Sequence, residues 1–281
     1  MSYTTIISAD QLNPHLNDAN WVIFDCRHDL MKPDAGAQAY AQSHVPGARF
    51  AHTDHDLAAP KNGRNGRHPL PEPERFTEWL GRNGVDASKQ VICYDSAAGS
   101  SATRLWWMLR WLGHDAVAVL DGGWEAWLRE SLPVTAELPN IKPATFTARP
   151  REAMVDANYV REHLNQSEMV LVDARSAERF RGETEPVDPV AGHIPGARNR
   201  LYKDNLGPDG RFKSPGVLKR EFEILLQTAS PSRVVHQCGS GISACHNVLA
   251  MEIAELPGSR LYPGSWSEWI ADSSRPIATG P

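Results

Sequence analysis

The chain has 281 residues, 41% hydrophobic and 22% charged, an ordinary globular balance with enough length for two domains of roughly 100–200 residues each. Its formal net charge of −5 gives no electrostatic support to a nucleic-acid or anionic-membrane partner, and no apolar run reaches the ~18 residues of a membrane span. The four cysteines, Cys26, Cys93, Cys238 and Cys245, are too few for a disulfide scaffold and lack the C-x-x-C spacing of a zinc site, so no metal is expected.

No Lys or Arg precedes Arg27, which argues against a signal or transit peptide and for a reducing, cytoplasmic setting. Residues 21–25 (WVIFD) read as a buried strand ending in Asp25-Cys26-Arg27, followed by HVPGAR at 44–49. Residues 61–73 (KNGRNGRHPLPEP) form a polar loop punctuated by Gly and Pro. A second strand, 91–95 (VICYD), feeds Gly99-Ser100-Ser101 and a helix over 102–112 that Gly113 stops. A third strand, 117–120, leads to Asp121-Gly122-Gly123-Trp124 and a short helix through Trp127 and Leu128. Residues 138–150 hold three prolines and no helical period, so 138–152 is the expected linker.

The second half repeats this order. Residues 169–173 (MVLVD) end in Asp173-Ala174-Arg175, 193–198 read HIPGAR, 234–238 (VVHQC) correspond to 91–95, and 260–266 (RLYPGSW) answer the Gly-Gly-Trp segment. Four matches in one order indicate duplication with loop insertions, at a period far too long for a solenoid. The expectation is an α/β protein of two tandem domains, 1–137 and 153–281, each a mainly parallel sheet flanked by helices.

The chemistry concentrates in residues 234–256 (VVHQCGSGISACHNVLAMEIAEL): a strand, Cys238, a small-residue loop, then a helix with apolar positions at three- and four-residue steps. Ser243 or Ser240 is the expected helix cap. A cysteine between a strand's carboxyl end and a helix N-terminus lies where open α/β sheets bind ligands. Loop N–H groups and the helix dipole favour a thiolate there, lowering a pKa of about 8.5 toward roughly 3.5–7.5. A thiolate is a nucleophile for covalent catalysis. Aligning the halves puts Asp95 where Cys238 stands, so one half keeps the chemistry.

HVPGAR, HIPGAR, the D-x-R motifs, the Gly-x-Trp segments and the Cys238 loop resemble tandem-domain rhodanese-type sulfurtransferases over nearly the whole chain. The run Cys238-Gly239-Ser240-Gly241-Ile242-Ser243-Ala244 is similar to the C-G-S-G-V-T-A loop of the 3-mercaptopyruvate branch. Unlike the C-R-K-G-V-T loop of the thiosulfate branch, it carries no cation. The resemblance implies a transferase that carries a sulfane sulfur on Cys238 as a persulfide. The sulfur would pass from a small donor, 3-mercaptopyruvate first and thiosulfate as the alternative, to a thiol, cyanide or a thioredoxin-like protein, with no cofactor. Gly239, Ser240, Gly241, Ile242 and Ser243 form the implied active-site loop, with Ser240 able to bond the donor.

The pattern D-x-R-x-x-x-R-F-x-G falls on Asp173, Arg175, Arg179, Phe180 and Gly182, and implies that Arg179 binds the donor carboxylate. Arg175 reads as a structural tie. Arg104 and His44 are further substrate-binding candidates, although His44 reads as structural because His193 repeats it. Relatives usually carry a second substrate arginine ahead of the HIPG motif. Residues 182–192 hold none, leaving Arg181, Arg104 or a first-domain side chain to replace it. A cysteine phosphatase would need arginine at Ala244. A non-catalytic sulfide- or redox-sensing module suits the first half better than the second, and a redox pairing of Cys245 with Cys238 conflicts with the core-facing position of Cys245.

Overall fold

The computed structural model describes residues 2–96 and 99–281. The chain forms two compact units, unit 1 comprising Met1–Ala59, Pro71–Arg151 and Pro208–Arg211, and unit 2 comprising Pro60–Leu70, Glu152–Gly207 and Phe212–Pro281.

Unit 1 holds β1 (Ile6–Ile7), α1 (Ala9–Leu12), β2 (Trp21–Asp25), α2 (Ala35–Gln42), β3 (Arg49–Phe50), α3 (Pro73–Arg82), β4 (Gln90–Tyr94), α4 (Ser100–Trp111), β5 (Val117–Leu120) and α5 (Gly123–Arg129). Its five strands run parallel in the order β1-β5-β4-β2-β3. Helices cover both faces of such a sheet, which is why its inner strands read as unbroken apolar runs. Ile23, Ile92, Ala118, Val45 and Trp127 meet in the core on one side.

Unit 2 holds α6 (Ala157–Glu162), β6 (Val170–Asp173), α7 (Ala177–Arg181), β7 (Arg198–Asn199), α8 (Pro215–Leu226), β8 (Val234–Gln237), α9 (Ala244–Ile253), β9 (Arg260–Leu261) and α10 (Ser265–Trp269). Its strands are also parallel, in the order β7-β6-β8-β9. A single parallel bridge from Met154 to Leu261 stands where β1 stands in unit 1. Leu171, Val235, Ile194 and Trp269 repeat the core of unit 1. The duplication reaches single bonds. Trp127 Nε1 donates to the Pro133 carbonyl at 2.8 Å, and Trp269 Nε1 to that of Pro276 at 2.9 Å.

The boundaries differ from the expected 1–137, 138–152 and 153–281. The stretch read as a linker lies along unit 1. The N–H of Ala144 donates to Gly81, that of Arg149 to Leu112 and that of Arg151 to Trp111, each at 2.8 Å. Prolines bar this stretch from a helix, yet its free N–H groups still find partners. Gly81 permits the approach, since a Cβ there would sit 2.7 Å from the Ala144 carbonyl oxygen. Residues 60–70 belong to unit 2 and 208–211 to unit 1, which hydrophobic periodicity does not signal. No helix among the described residues is long and apolar enough to cross a membrane.

His236, in the middle of β8, is fully buried, with Nε2 3.1 Å from Met251 Sδ and Nδ1 without a partner. Burial, aided by the Arg200 charge, pulls its pKa down to about 3. The unfolded chain therefore takes up a proton near pH 6.5 that the folded chain refuses. Stability is complete above that pH and is lost as pH falls toward 3, at about 1.4 kcal/mol per pH unit from this residue. Denaturant midpoints of a His236→Leu variant are expected to fall less steeply than wild type between pH 6.5 and about 4. Equal slopes would remove His236 as the source.

Candidate active site

β8 is the central strand of unit 2, and Asp173 pairs in register with Gln237 just as Asp25 pairs with Tyr94. Cys238 and Asp95 thus occupy one position, at the carboxyl end of the central strand, where open α/β sheets place their ligands. Cys238 is buried, 2% exposed. Its Sγ accepts the N–H of Gly241 at 3.1 Å. Gly241 has φ +75°, and a Cβ there would lie 2.2 Å from the Pro263 carbonyl oxygen, so only glycine completes the turn.

The far side of the cysteine is held by the start of α10. The Cys238 N–H donates to Ser265 Oγ at 3.1 Å, and Ser265 Oγ donates to the Tyr262 carbonyl at 2.9 Å. The N–H groups of Trp266 and Ser267 donate to the carbonyls of Cys238 and Gly239. Ser265 does this at φ +55°, where unit 1 has Gly123 at φ +57°. A non-glycine residue held in the left-handed region costs about 1–3 kcal/mol, and such strain gathers at functional sites.

The loop serines differ from their expected roles. Ser243 is the N-cap residue of α9, but its side chain makes no cap bond and its backbone is already helical, at φ −69°, ψ −16°, whereas a capping side chain springs from extended backbone. Ser240 caps nothing either. Its Oγ is 2.8 Å from Nδ1 of His68, and both residues are buried. Ile242 offers its carbonyl to the Cys245 N–H. Cys245, also buried, donates its thiol to the Gly241 carbonyl at 3.3 Å.

Beside Cys238 runs a chain of alternating charges. Arg175 grips Asp173 through Nε and Nη2, donates to the Gly192 carbonyl at 2.8 Å and stacks on Trp266 with 4.8 Å to the ring centre. Arg179, on α7, forks onto Glu185 through Nε (3.1 Å) and Nη2 (2.7 Å), and Nη2 also reaches Asp188 Oδ2 at 3.1 Å. Burial alone would raise Glu185; Arg179 and the N–H groups of Asp188 and Val187 outweigh it and hold the carboxyl below its usual range. Asp188 is shared with Arg67, whose Nη1 bonds Oδ1.

Arg67 and His68 come from the loop read as polar punctuation. Two arginines and a histidine set among turn residues were the available signal in GRNGRHP. Gly66 at φ +82° brings the loop against Gly264, and the Arg67 N–H donates to Ser267 Oγ at 2.9 Å.

Arg104 and His44 lie in unit 1. Arg104 is fully buried on α4, with Nη2 3.4 Å from the Leu57 carbonyl oxygen. His44 is fully buried and stacked on Tyr40, with Nδ1 2.7 Å from the Tyr40 carbonyl oxygen and Nε2 3.1 Å from that of Glu137. Both ring nitrogens face main-chain carbonyls of unit 1, so this candidate substrate ligand is turned into its own domain. His193 repeats the arrangement, stacked on Phe180 with Nδ1 2.8 Å from its carbonyl oxygen. In place of a thiol, Asp95 accepts the N–H groups of Gly99, Ser101 and Ala102 at 2.7–2.8 Å.

The profile of the rhodanese-like domain matches the chain twice, over residues 8–130 and 156–272. A probable 3-mercaptopyruvate sulfurtransferase of Pseudomonas aeruginosa is 44% identical over the whole of both chains. The human 3-mercaptopyruvate sulfurtransferase is 37% identical over 90% of this chain and 84% of its own. The crystal structure of SseA, a 3-mercaptopyruvate sulfotransferase from Escherichia coli, superposes with a TM-score of 0.81 at 32% identity, covering 95% of this chain and all of that one.

Proposed function

Because the chain belongs to the rhodanese-like family, with both of its domains matched, we propose that it is a 3-mercaptopyruvate sulfurtransferase working through Cys238. The carrying observation is Cys238 at the end of β8, its sulfur bonded by the Gly241 N–H, inside a loop that contains no cation. The names of the relatives support the same activity.

In the first half-reaction the Cys238 thiolate attacks the sulfur of 3-mercaptopyruvate. The new S–S bond forms as the S–C bond breaks, and the bonding pair leaves as the enolate of pyruvate, which takes up a proton. The Ser240 hydroxyl, bonded to His68, is the group in the loop suited to donate to the oxygen on which that charge develops, and donors aimed at developing charge lower barriers. Arg179 is the cation for the carboxylate. In the second half-reaction an acceptor thiolate or cyanide takes the outer sulfur and restores the Cys238 thiolate. A small thiol or a thioredoxin-like protein fits as acceptor, with no nucleic acid or membrane involved. A reducing cytoplasm suits a chain in which no disulfide joins the four buried cysteines.

Peptide mass spectrometry after 3-mercaptopyruvate treatment is expected to show about 32 Da added to Cys238, the mass of one sulfur. An unmodified Cys238 after both 3-mercaptopyruvate and thiosulfate would defeat the reading, and sulfur gained from thiosulfate alone would move it to the thiosulfate branch.

A further inference from the structure

Arg67 is held in an unusual way for an ion-paired arginine. Arg175 presents the edge of its guanidinium to Asp173 through two nitrogens, the geometry that satisfies both partners. Arg67 gives Asp188 only Nη1. Its Nε is shut away from solvent with no partner, a free-energy cost borne to hold the guanidinium in this place. Its Nη2 reaches over the residue next to the nucleophile. A Cβ on Gly239 would lie 2.8 Å from Arg67 Nη2, 3.6 Å from Arg179 Nη2 and 3.7 Å from Asp188 Oδ2. Two guanidiniums therefore converge on Gly239, and glycine there leaves room for them.

The backbone fixes this placement. The Arg67 N–H is tied to Ser267 Oγ, and the Ser267 N–H to the Gly239 carbonyl. Asp188, only 7% exposed, spans Arg67 and Arg179 and sets the distance between them. Nothing in residues 182–192 duplicates this charge, because that stretch holds no Lys or Arg.

We propose that Arg67 is a substrate-binding residue: together with Arg179, across the shared Asp188, it forms a two-guanidinium clamp that holds the carboxylate of an α-keto acid donor beside Cys238. The proposal rests on the reading of Cys238 as the sulfur carrier and adds the residue that selects an anionic donor. No bond changes at Arg67; it binds and orients, donating Nη2–H to the carboxylate while Nη1 stays on Asp188.

The test compares two alkylating reagents of nearly the same size, iodoacetate and iodoacetamide, on Cys238. Both consume the thiolate and release iodide. The ratio of their rates cancels changes in thiolate population and reports attraction for a carboxylate. In Arg67→Gln the iodoacetate-to-iodoacetamide ratio is expected to fall about tenfold, with the iodoacetamide rate within about twofold of wild type. The KM for 3-mercaptopyruvate should rise about tenfold with a smaller change in kcat, the pattern of lost ground-state binding. Arg67→Lys keeps the charge that Asp188 faces and loses the fork, so its ratio should fall about threefold. A ratio equal to wild type in Arg67→Gln, or in Arg67→Lys if the former does not fold, overturns the proposal. An Arg67-dependent ratio in a protein that takes no sulfur from 3-mercaptopyruvate would sink the sulfurtransferase reading and leave the anion clamp standing. Persulfide formation with an Arg67-independent ratio would do the reverse.

Discussion

Cys238→Ser is expected to reduce sulfur transfer from 3-mercaptopyruvate by at least about a thousandfold while leaving the thermal midpoint nearly unchanged. The fold should tolerate the change because a hydroxyl keeps an acceptor for the Gly241 N–H and fills almost the same buried volume. The chemistry should not tolerate it. A serine hydroxyl stays protonated where a thiol yields its proton, and oxygen gives no persulfide to hand on. Steady-state assays with 3-mercaptopyruvate and a small thiol, alongside a melting curve, check both halves. Turnover within about tenfold of wild type would remove Cys238 from the centre of the mechanism.

The largest stability effect is expected at Asp173→Ala. Asp173 is fully buried and accepts from the Arg175 N–H, Nε and Nη2 at 2.7–3.1 Å. Removing it strands a guanidinium whose side chain is 1% exposed, and breaking a buried pair on one side costs about 3–5 kcal/mol. Glu185, at 3.4 Å from Arg175, is already engaged by Arg179 and is poorly placed to take over. Denaturant titration measures the loss, with exposed Glu183, paired to Arg181, as a control whose removal should leave the midpoint unchanged. A loss under about 1 kcal/mol would mean that the pair orders the loop without stabilising the unit.

Much of this architecture is legible in the sequence because buried parallel strands write themselves as apolar runs. Residues 117–120 are β5 as expected, and 21–25 and 91–95 fall on β2 and within one residue of β4. β1, β3, β7 and β9, of two residues each, are too short to carry a period. The Cys238 turn stands out because Gly241 and the strand before it are local features. His68 and Arg67 do not, since each meets Ser240 or Asp188 across more than a hundred residues and periodicity sees only neighbours. The segment at 138–152 misleads for a related reason. Proline tells where a helix cannot be, and says nothing of what an extended strand of chain lies against. Ser243 shows the limit of residue type, because capping depends on a backbone angle that composition does not disclose.

The aspartate at position 95 has a further consequence. Three inward-pointing amides at the end of β4 are saturated by a carboxylate tethered to their own loop, so the front half carries a built-in counter-anion. It cannot be emptied by dilution or displaced by a better leaving group. Under the proposed mechanism, Cys238 is then the one sulfur-accepting centre among the described residues, and no half-finished cargo is stranded at Asp95. What looks like a degenerate duplicate is a lock left permanently turned, a repeat suited to serve as scaffold for the exchange proposed for its twin.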